Sequence, residues 1–586
     1  MALLDWIVIG LFAAAMIWIV VSVMRKQKDN SSDYFLSGRD ATWIAIGTSI
    51  FASNIGSEHL IGLAGSGASS GMAMAHWEIQ GWMILILAWV FVPFYERSMV
   101  LTMPEFLEKR FNKQSRTILT YISLISYVLT KVAVTVYAGG VVFQQVFGIE
   151  SISIFGWTVD FFWVAAIGLV LLTAVYTILG GMESVLKTSV LQTPILLFGS
   201  VVILVLGLKE LGGWDNMMSL CDVTPAYEGA QGTMIHLMRG NSDPQYPWLG
   251  ALVGSAVIGF WYWCTDQFIV QRVLSGKDER EARRGAIFGA YLKLLPVFLF
   301  LIPGMIAFAL AKGAQTGVLN SDLANAMMPV LNNGDVAFPL LVAKLLPAGF
   351  KGVVVCGILA ALMSSLASLF NSSAMLYTID VYKVKHPDPN PVIAEDGRVT
   401  DSEEYGKKLV KIGQIATVII VALGILWIPV MKSIGDVLYL YLQDVQSVLA
   451  PGIAAAFLMG ICWKRATPKG GQWALISGLI IGIVRLGAKI LYTSGISWAP
   501  EGWFKAVFYD FNWLYFCGCM LVFCLLVCFF VSLFTQPKDE KEIKGLVFGT
   551  STPEQKAATK RSWNHWDVIH TVIILGITVA FYIYFW

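Results

Sequence analysis

Long apolar stretches separated by shorter polar segments are the dominant pattern along this chain. A helix needs about 20 mostly apolar residues to cross a bilayer, and this rule predicts about fourteen transmembrane helices. Numbered in chain order as spans 1 to 14, they are expected over 3–24, 42–66, 74–98, 117–147, 159–180, 187–208, 249–274, 283–313, 349–382, 409–431, 437–462, 469–492, 512–535 and 566–585. The pattern therefore predicts an all-α integral membrane protein, with span 1 expected to be a helix rather than a cleaved signal peptide.

Basic residues between the spans predict how the chain is oriented in the membrane. They cluster after spans 1, 3, 7, 9, 11 and 13, for example at Arg25, Lys26, Lys28, Lys109, Arg110, Lys113, Arg116, Arg280, Arg283, Arg284, Lys383, Lys385, Lys464, Arg465, Lys538, Lys541 and Lys544. The loops 67–73 and 148–158 carry no Lys or Arg. Because cytoplasmic loops carry the excess of positive residues, the alternation predicts a multi-pass protein of the plasma (inner) membrane with both termini extracytoplasmic.

Composition supports a membrane protein and narrows its partners. The chain is 56% hydrophobic and 14% charged, whereas soluble domains are usually about 45–50% apolar and about 25% charged. A net charge of +2 provides no excess of positive charge to attract nucleic acid. The polar segments are too short for a soluble domain, so residues 1–586 are predicted to form a single membrane transporter domain. We find no pattern of a nucleophile, a metal cluster or a phosphate loop and do not expect an enzyme.

Ionisable and polar residues inside the spans are the first functional candidates. They are Glu58 and His59 in span 2, Glu78 in span 3, Lys293 in span 8, and Gln443 and Asp444 in span 11. Such a residue costs several kcal/mol in a membrane unless it faces the bundle interior. A structural ion pair or a snorkelling side chain would explain any one of them. Their presence in four spans favours a shared polar cavity.

Two further segments have the composition of a cation site. Residues 52–57 read Ala-Ser-Asn-Ile-Gly-Ser, a poor helix interior that predicts an unwound stretch lining a cavity. Close helix packing through small residues is the alternative. Span 9 carries the adjacent hydroxyls of Ser364 and Ser365, which suit Na⁺, although serine hydroxyls also bond to their own helix backbone.

An aromatic run in span 7 is a candidate wall for a sugar site. Trp261, Tyr262 and Trp263 are consecutive, and aromatic faces can stack on the apolar faces of sugar rings. Aromatic residues in membrane helices also serve ordinary packing. This run therefore indicates a sugar site only in combination with the polar candidates.

Several segments together resemble the sodium/solute symporter family, in its sodium/glucose cotransporter branch. The segments begin at Asp33 (DYFLSGR), Phe51 (FASNIGS), Gly62 (GLAGSG), Met103 (MPEFLEKRF), Tyr176 (YTILGGMES), Trp261 (WYWCTDQ), Ser364 (SSLASLFNS) and Phe457 (FLMGICWKR). The resemblance implies a LeuT-type fold of two inverted five-helix repeats, spans 2–6 and spans 7–11, each with a broken first helix. It also implies a ten-helix core at 41–465, a peripheral first helix and cytoplasmic loop at 1–40, and peripheral C-terminal helices at 466–586.

The resemblance also implies the roles of individual residues. The substrate contacts would be Asn54, His59, Glu78, Lys293, Gln443, Tyr262 and Trp263. The gates would be Leu63, Trp77, Tyr439 and Tyr262. The sodium ligands would be the carbonyl groups of Ala52, Ile55 and Ala361 with the hydroxyls of Ser364 and Ser365. Two sugar-contacting polar residues of a bacterial relative are replaced here, by Gly259 and by Gly81.

The implied function is Na⁺-driven symport of a neutral, glucose- or galactose-like sugar by alternating access. The expected partners are the sugar, the coupling sodium ion and the lipid bilayer. Symport of myo-inositol or another small solute is the alternative, as is a sugar sensor that does not transport, although no output domain is expected after span 14. An anionic substrate fits poorly beside Glu78. Relatives with a second sodium site have an aspartate where this chain has Ser189, which predicts one Na⁺ per sugar.

Overall fold

The computed structural model describes residues 2–25, 30–56, 58–154, 156–393, 399–434, 438–493 and 500–586. Within these residues, eleven helices are long and apolar enough to cross a membrane. They are Leu3–Met24, Gly71–Ser98, Phe161–Leu211, Trp248–Thr265, Glu279–Gln315, Phe350–Lys385, Glu403–Leu426, Gln443–Cys462, Pro468–Tyr492, Trp513–Leu533 and His565–Tyr584. The full helices of spans 10 to 12 are Glu403–Ile434, Leu438–Cys462 and Pro468–Thr493.

Two predicted spans, 2 and 4, are not among these eleven helices, and one of the eleven contains two predicted spans. Span 2 consists of Trp43–Asn54, Glu58–Leu63 and Ala64–Ser69. Span 4 consists of Lys113–Ser126, Tyr127–Val132 and Ala133–Phe147. Spans 5 and 6 share one helical run, Phe161–Leu211. All fourteen predicted spans therefore correspond to helical segments of the described chain.

Spans 5 and 6 are joined by a sharp turn at Gly181 rather than by a loop. Its backbone has φ 56° and ψ −151°, a conformation that only glycine adopts without strain. A Cβ on Gly181 would lie 2.4 Å from the backbone oxygen of Tyr34. Glycine is thus required both by the turn and by the close approach of the segment Ser31–Leu36.

The first helix of each expected repeat is broken, as predicted. Span 2 leaves its helix at Ile55, with φ −77° and ψ 110°. Span 7 leaves its helix at Asp266, with φ −80° and ψ 127°, between Trp261–Thr265 and Gln267–Leu274. Irregular backbone at membrane depth survives only where it is buried in protein or lines a cavity. The two breaks therefore point to the interior of the bundle as the functional region.

Span 3 contains an interruption that the sequence did not predict. The helix ends at Glu78. Ile79 and Gln80 lie outside it, with ψ values of 25° and 21°, and the next helix is Gly81–Ile86. Two side chains that are two positions apart point in different directions in a regular helix. Because the helix is interrupted here, the side chains of Glu78 and Gln80 can point in the same direction.

The loops hold short helices and two small hairpins. The helices are Ser31–Leu36, Met103–Arg110, Trp214–Cys221, Asp322–Ala326, Ala337–Leu345, Trp503–Lys505 and Pro553–Arg561. Strand β1 (Ser151–Ile154) pairs antiparallel with β2 (Trp157–Asp160), and Ser151 faces Asp160. Strand β3 (Val392–Ile393) pairs with β4 (Val399–Thr400). These hairpins are small departures from an otherwise all-α fold.

Burial separates central helices from peripheral ones. In span 9, 89% of the residues of the most apolar window are buried, compared with 17% in span 1 and 22% in span 14. Span 9 packs against spans 5 and 6 along their length, and span 2 packs against span 8. Spans 2, 8 and 9 thus lie at the centre, where the polar residues of the sequence analysis are found. The division of the chain at 40/41 and 465/466 stays a prediction.

Candidate functional site

The polar side chains predicted from different spans meet in one cavity beside the two helix breaks. It is lined by Asn54, Glu58, His59, Trp77, Glu78, Gln80, Ile258, Gly259, Tyr262, Trp263, Lys293, Gln443 and Gln446. Its volume is about 50 Å³, enough for a few water molecules. The side chains therefore fill much of the space between the helices and bond mainly to one another.

A buried ion pair is at the centre of the cavity. Lys293 Nζ lies 2.6 Å from Glu78 Oε2, and both side chains are at least 96% buried. His59 Nε2 lies 3.3 Å from the same carboxylate oxygen. Because a buried charge is tolerated only with a partner, Glu78 and Lys293 balance each other's charge and still present strong donors and acceptors to the cavity.

Asn54 connects the ion pair to the broken helix of span 7. Its carbonyl oxygen accepts a hydrogen bond from Lys293 Nζ at 3.2 Å. Its amide nitrogen donates to the hydroxyl of Tyr262 at 3.1 Å. Asn54 is the last residue of the first helix of span 2. One amide thus joins the end of span 2, span 8 and the break in span 7.

Several polar atoms at the cavity have no hydrogen-bond partner among the described residues. They are Nε1 of Trp77, Oε1 of Gln443 and Nδ1 of His59. Buried polar atoms in folded proteins nearly always have partners. These groups can accordingly hydrogen-bond a polar molecule that enters the cavity.

Aromatic rings form one wall of the cavity. The ring of Trp263 lies 5.3 Å from Lys293 Nζ and packs edge-on against Tyr262 at a centroid distance of 4.9 Å. Tyr262 also contacts the ring of Phe268 at 6.1 Å, beyond the break in span 7. The wall therefore extends from the ion pair to the break.

Of the four residues implied as gates, Trp77 and Tyr262 line the cavity, and two aromatic residues absent from the prediction pack on Trp77. Leu63 is fully buried. Trp77 stacks on Trp513 of span 13, with centroids 5.6 Å apart and planes 16° apart. It also meets the edge of Tyr246 at 6.3 Å. The side chain of Tyr439 lies outside the described residues.

Two serine hydroxyls of span 9 lie beside the break in span 2 and beside span 6. A Cβ on Gly56 would lie 3.2 Å from Ser365 Oγ, so this hydroxyl faces the break. The hydroxyl of Ser364 lies 3.3 Å from that of Ser189. The carbonyl groups in the last turn of a helix lack helical partners, which frees those of Ala52 and Ile55 near the end of the helix at Asn54. Together with the carbonyl of Ala361, this predicted set offers only uncharged oxygen ligands.

The sequence as a whole matches one known family. The model of the sodium:solute symporter family matches residues 34–478. The chain belongs to this family. It is 35% identical over 541 residues to sodium/myo-inositol cotransporter 2 of Homo sapiens, covering 90% of this chain and 76% of that protein. It is 35% identical to sodium/glucose cotransporter 2 of Rattus norvegicus, covering 90% of this chain and 78% of that protein.

A solved structure confirms the predicted fold of this symporter. The substrate-bound outward-open state of a Na⁺-coupled sialic acid symporter matches it with a TM-score of 0.68 and 20% sequence identity. The match covers 92% of this chain and 99% of the solved one. At this identity, the likeness establishes the fold, which is the LeuT-type arrangement that the resemblance implied.

A buried lysine beside the break in span 7 was missed by the sequence analysis. Lys131 of span 4 lies 2.8 Å from Asp266 at the break in span 7. Its Nζ is 4.6 Å from the ring centroids of both Tyr262 and Phe268. The hydroxyl of Tyr127 bonds to the other oxygen of Asp266. Lys131 is a charged residue inside an apolar span, so the rule that selected Lys293 would have found it.

Asp444 of span 11 does not line the cavity, contrary to the expectation of a shared site. Its carboxylate bonds to Lys489 of span 12. Its neighbour Gln443 does line the cavity, and so does Gln446, which lies one helical turn later. The physical reason is helical geometry, because adjacent positions on a helix face different directions.

Proposed function

We propose that this family member is a Na⁺-driven symporter of a neutral sugar of the glucose or galactose type, working by alternating access. The observation that carries the proposal is the Glu78–Lys293 pair at 2.6 Å, hydrogen-bonded to Asn54 between the two helix breaks. This arrangement presents strong acceptors and donors side by side. Sugar hydroxyls need both, since each hydroxyl donates one hydrogen bond and accepts others.

The charge balance of the cavity favours a neutral substrate. Glu78 and Lys293 compensate each other, and Glu58 lines the same cavity. With two carboxylates and one lysine in its lining, the cavity would repel an anionic substrate. The ring of Trp263 beside Lys293 offers an apolar face for a sugar ring. A neutral molecule with many hydroxyls fits both features.

Sodium, the coupling ion of the family, would act on the sugar site through span 2. The proposed ligands Ala52 and Ile55 flank Asn54, and Ser365 faces the break beside them. An ion held there fixes the end of the helix and with it the amide of Asn54. Because that amide bonds to Lys293 and Tyr262, sodium binding would order the sugar contacts and raise their affinity for sugar.

Access would alternate around this site. Trp77, stacked on Trp513, closes one side, and Tyr262 at the break in span 7 closes the other. The basic loops predict that both termini lie outside the cytoplasm and that the protein sits in the plasma (inner) membrane. In that orientation the loop that carries Tyr246 is extracytoplasmic, so Trp77 would belong to the outer gate and Tyr262 to the inner gate.

Symport of myo-inositol is the second candidate. It is favoured by the 35% identity to sodium/myo-inositol cotransporter 2. Inositol is also a neutral ring with several hydroxyls, so the charge argument supports both substrates equally. The relatives are transporters and not enzymes, which supports transport rather than catalysis for this chain.

Uptake into liposomes that contain the purified protein tests the proposal. Radiolabelled glucose, galactose, myo-inositol and sialic acid would each be supplied with an inward Na⁺ gradient or with K⁺ in its place. We expect Na⁺-dependent uptake of glucose or galactose that exceeds that of inositol. Preferential uptake of inositol would favour the second candidate. Saturable sugar binding without uptake would contradict symport and favour a sensor.

A further inference from the structure

Gln80 of span 3 lines the cavity beside Glu78. It is 97% buried and follows Glu78 by two residues. The interruption of span 3 at Ile79 and Gln80 lets both side chains reach the cavity, which a continuous helix would prevent. The structure therefore places a carboxamide next to the Glu78–Lys293 pair.

Hydrogen bonds fix the orientation of this carboxamide. Gln80 Nε2 donates to the backbone oxygen of Ser255 at 2.8 Å. Gln80 Oε1 accepts from the indole Nε1 of Trp263 at 3.2 Å. An indole nitrogen can only donate and a backbone oxygen can only accept, so these two partners determine which end of the amide is oxygen. The amide is thus held in one orientation before any substrate arrives.

The amide keeps hydrogen-bonding capacity after these two bonds. A carboxamide oxygen has two lone pairs and its nitrogen has two hydrogens. Gln80 uses one of each, which leaves one acceptor and one donor available for a ligand in the cavity. A donor and an acceptor on one rigid group can bind one hydroxyl, or two neighbouring hydroxyls, of a sugar or cyclitol.

Gly259 provides the space that this carboxamide occupies. A Cβ at position 259 would lie 2.5 Å from Gln80 Oε1, 2.8 Å from Cδ and 3.0 Å from Nε2. Any larger residue there would push the amide away from Trp263 and Ser255. Gly259 and Gln80 are therefore a matched pair, with the small residue in span 7 needed for the large polar residue in span 3.

We infer that Gln80 is a specificity-determining residue, which hydrogen-bonds a hydroxyl of the transported polyol and orients Trp263 beside it. This inference rests on the proposed function, since it names a further contact in the same site. Gly259 acts indirectly, by leaving the amide in place. The ring of Trp263 lies against Lys293, so Gln80 also connects the aromatic wall to the ion pair.

The test measures sugar discrimination rather than overall activity. The best-transported sugar and its single-deoxy analogues would be compared by half-saturation concentration in wild type, Gln80→Met and Gln80→Ala. Methionine has a similar volume and lacks the amide. Losing a hydroxyl from a site built to bind it costs about tenfold or more. We expect one analogue to carry that penalty in wild type and to differ less than about twofold from the parent sugar in both variants.

The variant Gly259→Ala provides an independent test, because it leaves Gln80 unchanged and displaces its amide. We expect it to remove the same discrimination as Gln80→Met. In a Gln80→Ala background the added methyl group has room, so Gly259→Ala should have little further effect. Gln271→Ala is a control, since Gln271 is an equally buried glutamine that donates to a backbone oxygen at 2.8 Å outside the cavity.

The outcomes separate this inference from the proposed function. If wild type shows no Na⁺-driven uptake of any sugar or inositol, the proposed function fails. If wild type transports and Gln80→Met weakens all analogues and the parent sugar by the same factor, Gln80 is only structural and the inference is wrong. An unchanged penalty for every analogue in Gly259→Ala would also contradict it.

Discussion

The polar side chains of the cavity differ in whether they already have hydrogen-bond partners. Glu78, Lys293 and Asn54 already bond to one another, whereas Gln443 Oε1 and Trp77 Nε1 have no partner among the described residues. A sugar gains most from groups that are exposed to the cavity and unpaired, because their desolvation cost has already been met. Affinity should therefore depend strongly on Gln443.

Gln443→Ala should abolish or severely weaken sugar uptake while the protein still folds. The substitution removes an acceptor that the hydroxyls of the substrate would satisfy, with an expected loss of tenfold or more in affinity. The measurement is initial uptake at low sugar concentration. Gln414→Ala is the matched control, because Gln414 donates to Ile178 O away from the cavity. Near-normal uptake by Gln443→Ala would show that this residue does not bind the substrate.

Ser365→Ala should raise the Na⁺ concentration needed for half-maximal uptake by about tenfold, with less effect on stability. The hydroxyl faces the break in span 2 and would be one of about five oxygen ligands. The measurement is the Na⁺ activation curve at saturating sugar. Ser372→Ala on the same helix is the control, since Ser372 bonds to Gln271 instead. An unchanged Na⁺ curve in Ser365→Ala would place the sodium site elsewhere.

At the scale of helices, the breaks in spans 2 and 7 are held by polar contacts from neighbouring spans. The break in span 7 is held by Lys131 of span 4, which pairs with Asp266. The break in span 2 is tied to span 8 and span 7 through Asn54. Each first helix of the two expected repeats is thus fixed by a side chain of another helix.

Lys131→Met should destabilise the protein by about 3–5 kcal/mol, because it leaves the buried carboxylate of Asp266 without its cation. The double variant Lys131→Met, Asp266→Asn should recover most of this loss. Thermal unfolding in detergent measures both. Lys407→Met is the control, since the exposed Lys407–Glu403 pair is worth only about 0.3–0.5 kcal/mol. Equal stability of the single and double variants would mean that the pair does not stabilise the break.

The sequence predicted the helices well because their signal is strong. A span of about 20 apolar residues is unmistakable, and the poor helix composition of 52–57 correctly indicated the break in span 2. The interruption at Ile79 and Gln80 was not predicted, since neither residue is a strong helix breaker and tertiary contacts decide it. The spans 159–180 and 187–208 leave a connection of six residues, and the sequence does not show that Gly181 alone makes the turn, because a φ of 56° cannot be predicted for one glycine among many.

The sequence likewise predicted some residues of the site and not others. Glu78, His59 and Lys293 were found because charged and polar groups are costly in a membrane. Trp513 and Tyr246 were missed because aromatic residues are common at span ends, and only the structure shows that they pack on Trp77. Asp444 was misplaced because sequence distance does not give the direction of a side chain.

At the scale of the whole molecule, the transported charge determines how strongly the membrane potential drives uptake. Ser189, in span 6, donates its hydroxyl to Val185 O at 2.7 Å and lies 3.3 Å from the hydroxyl of Ser364. It brings no negative charge to this position. Lys187 of the same span pairs with Glu183 at 2.9 Å, so its charge is compensated, and it is the neutral hydroxyl of Ser189 that disfavours a second sodium ion.

One Na⁺ should accompany each sugar. Each charge moved adds about 2.3 kcal/mol per 100 mV to the driving force, so one ion and two ions give clearly different reversal potentials. The measurement is the reversal potential of sugar flux in liposomes at several imposed sugar and Na⁺ gradients. A fitted ratio near two ions per sugar would show that Ser189 does not limit the protein to one site.

We propose that a sodium gradient drives a neutral polyol through this membrane bundle. The most direct measurement is accumulation of the labelled sugar inside liposomes under an inward Na⁺ gradient, before and after a sodium ionophore is added. We expect the internal sugar concentration to exceed the external concentration and then to fall to it when the gradient is dissipated. An internal sugar concentration that never exceeds the external one, and does not respond to the ionophore, would contradict Na⁺-driven transport.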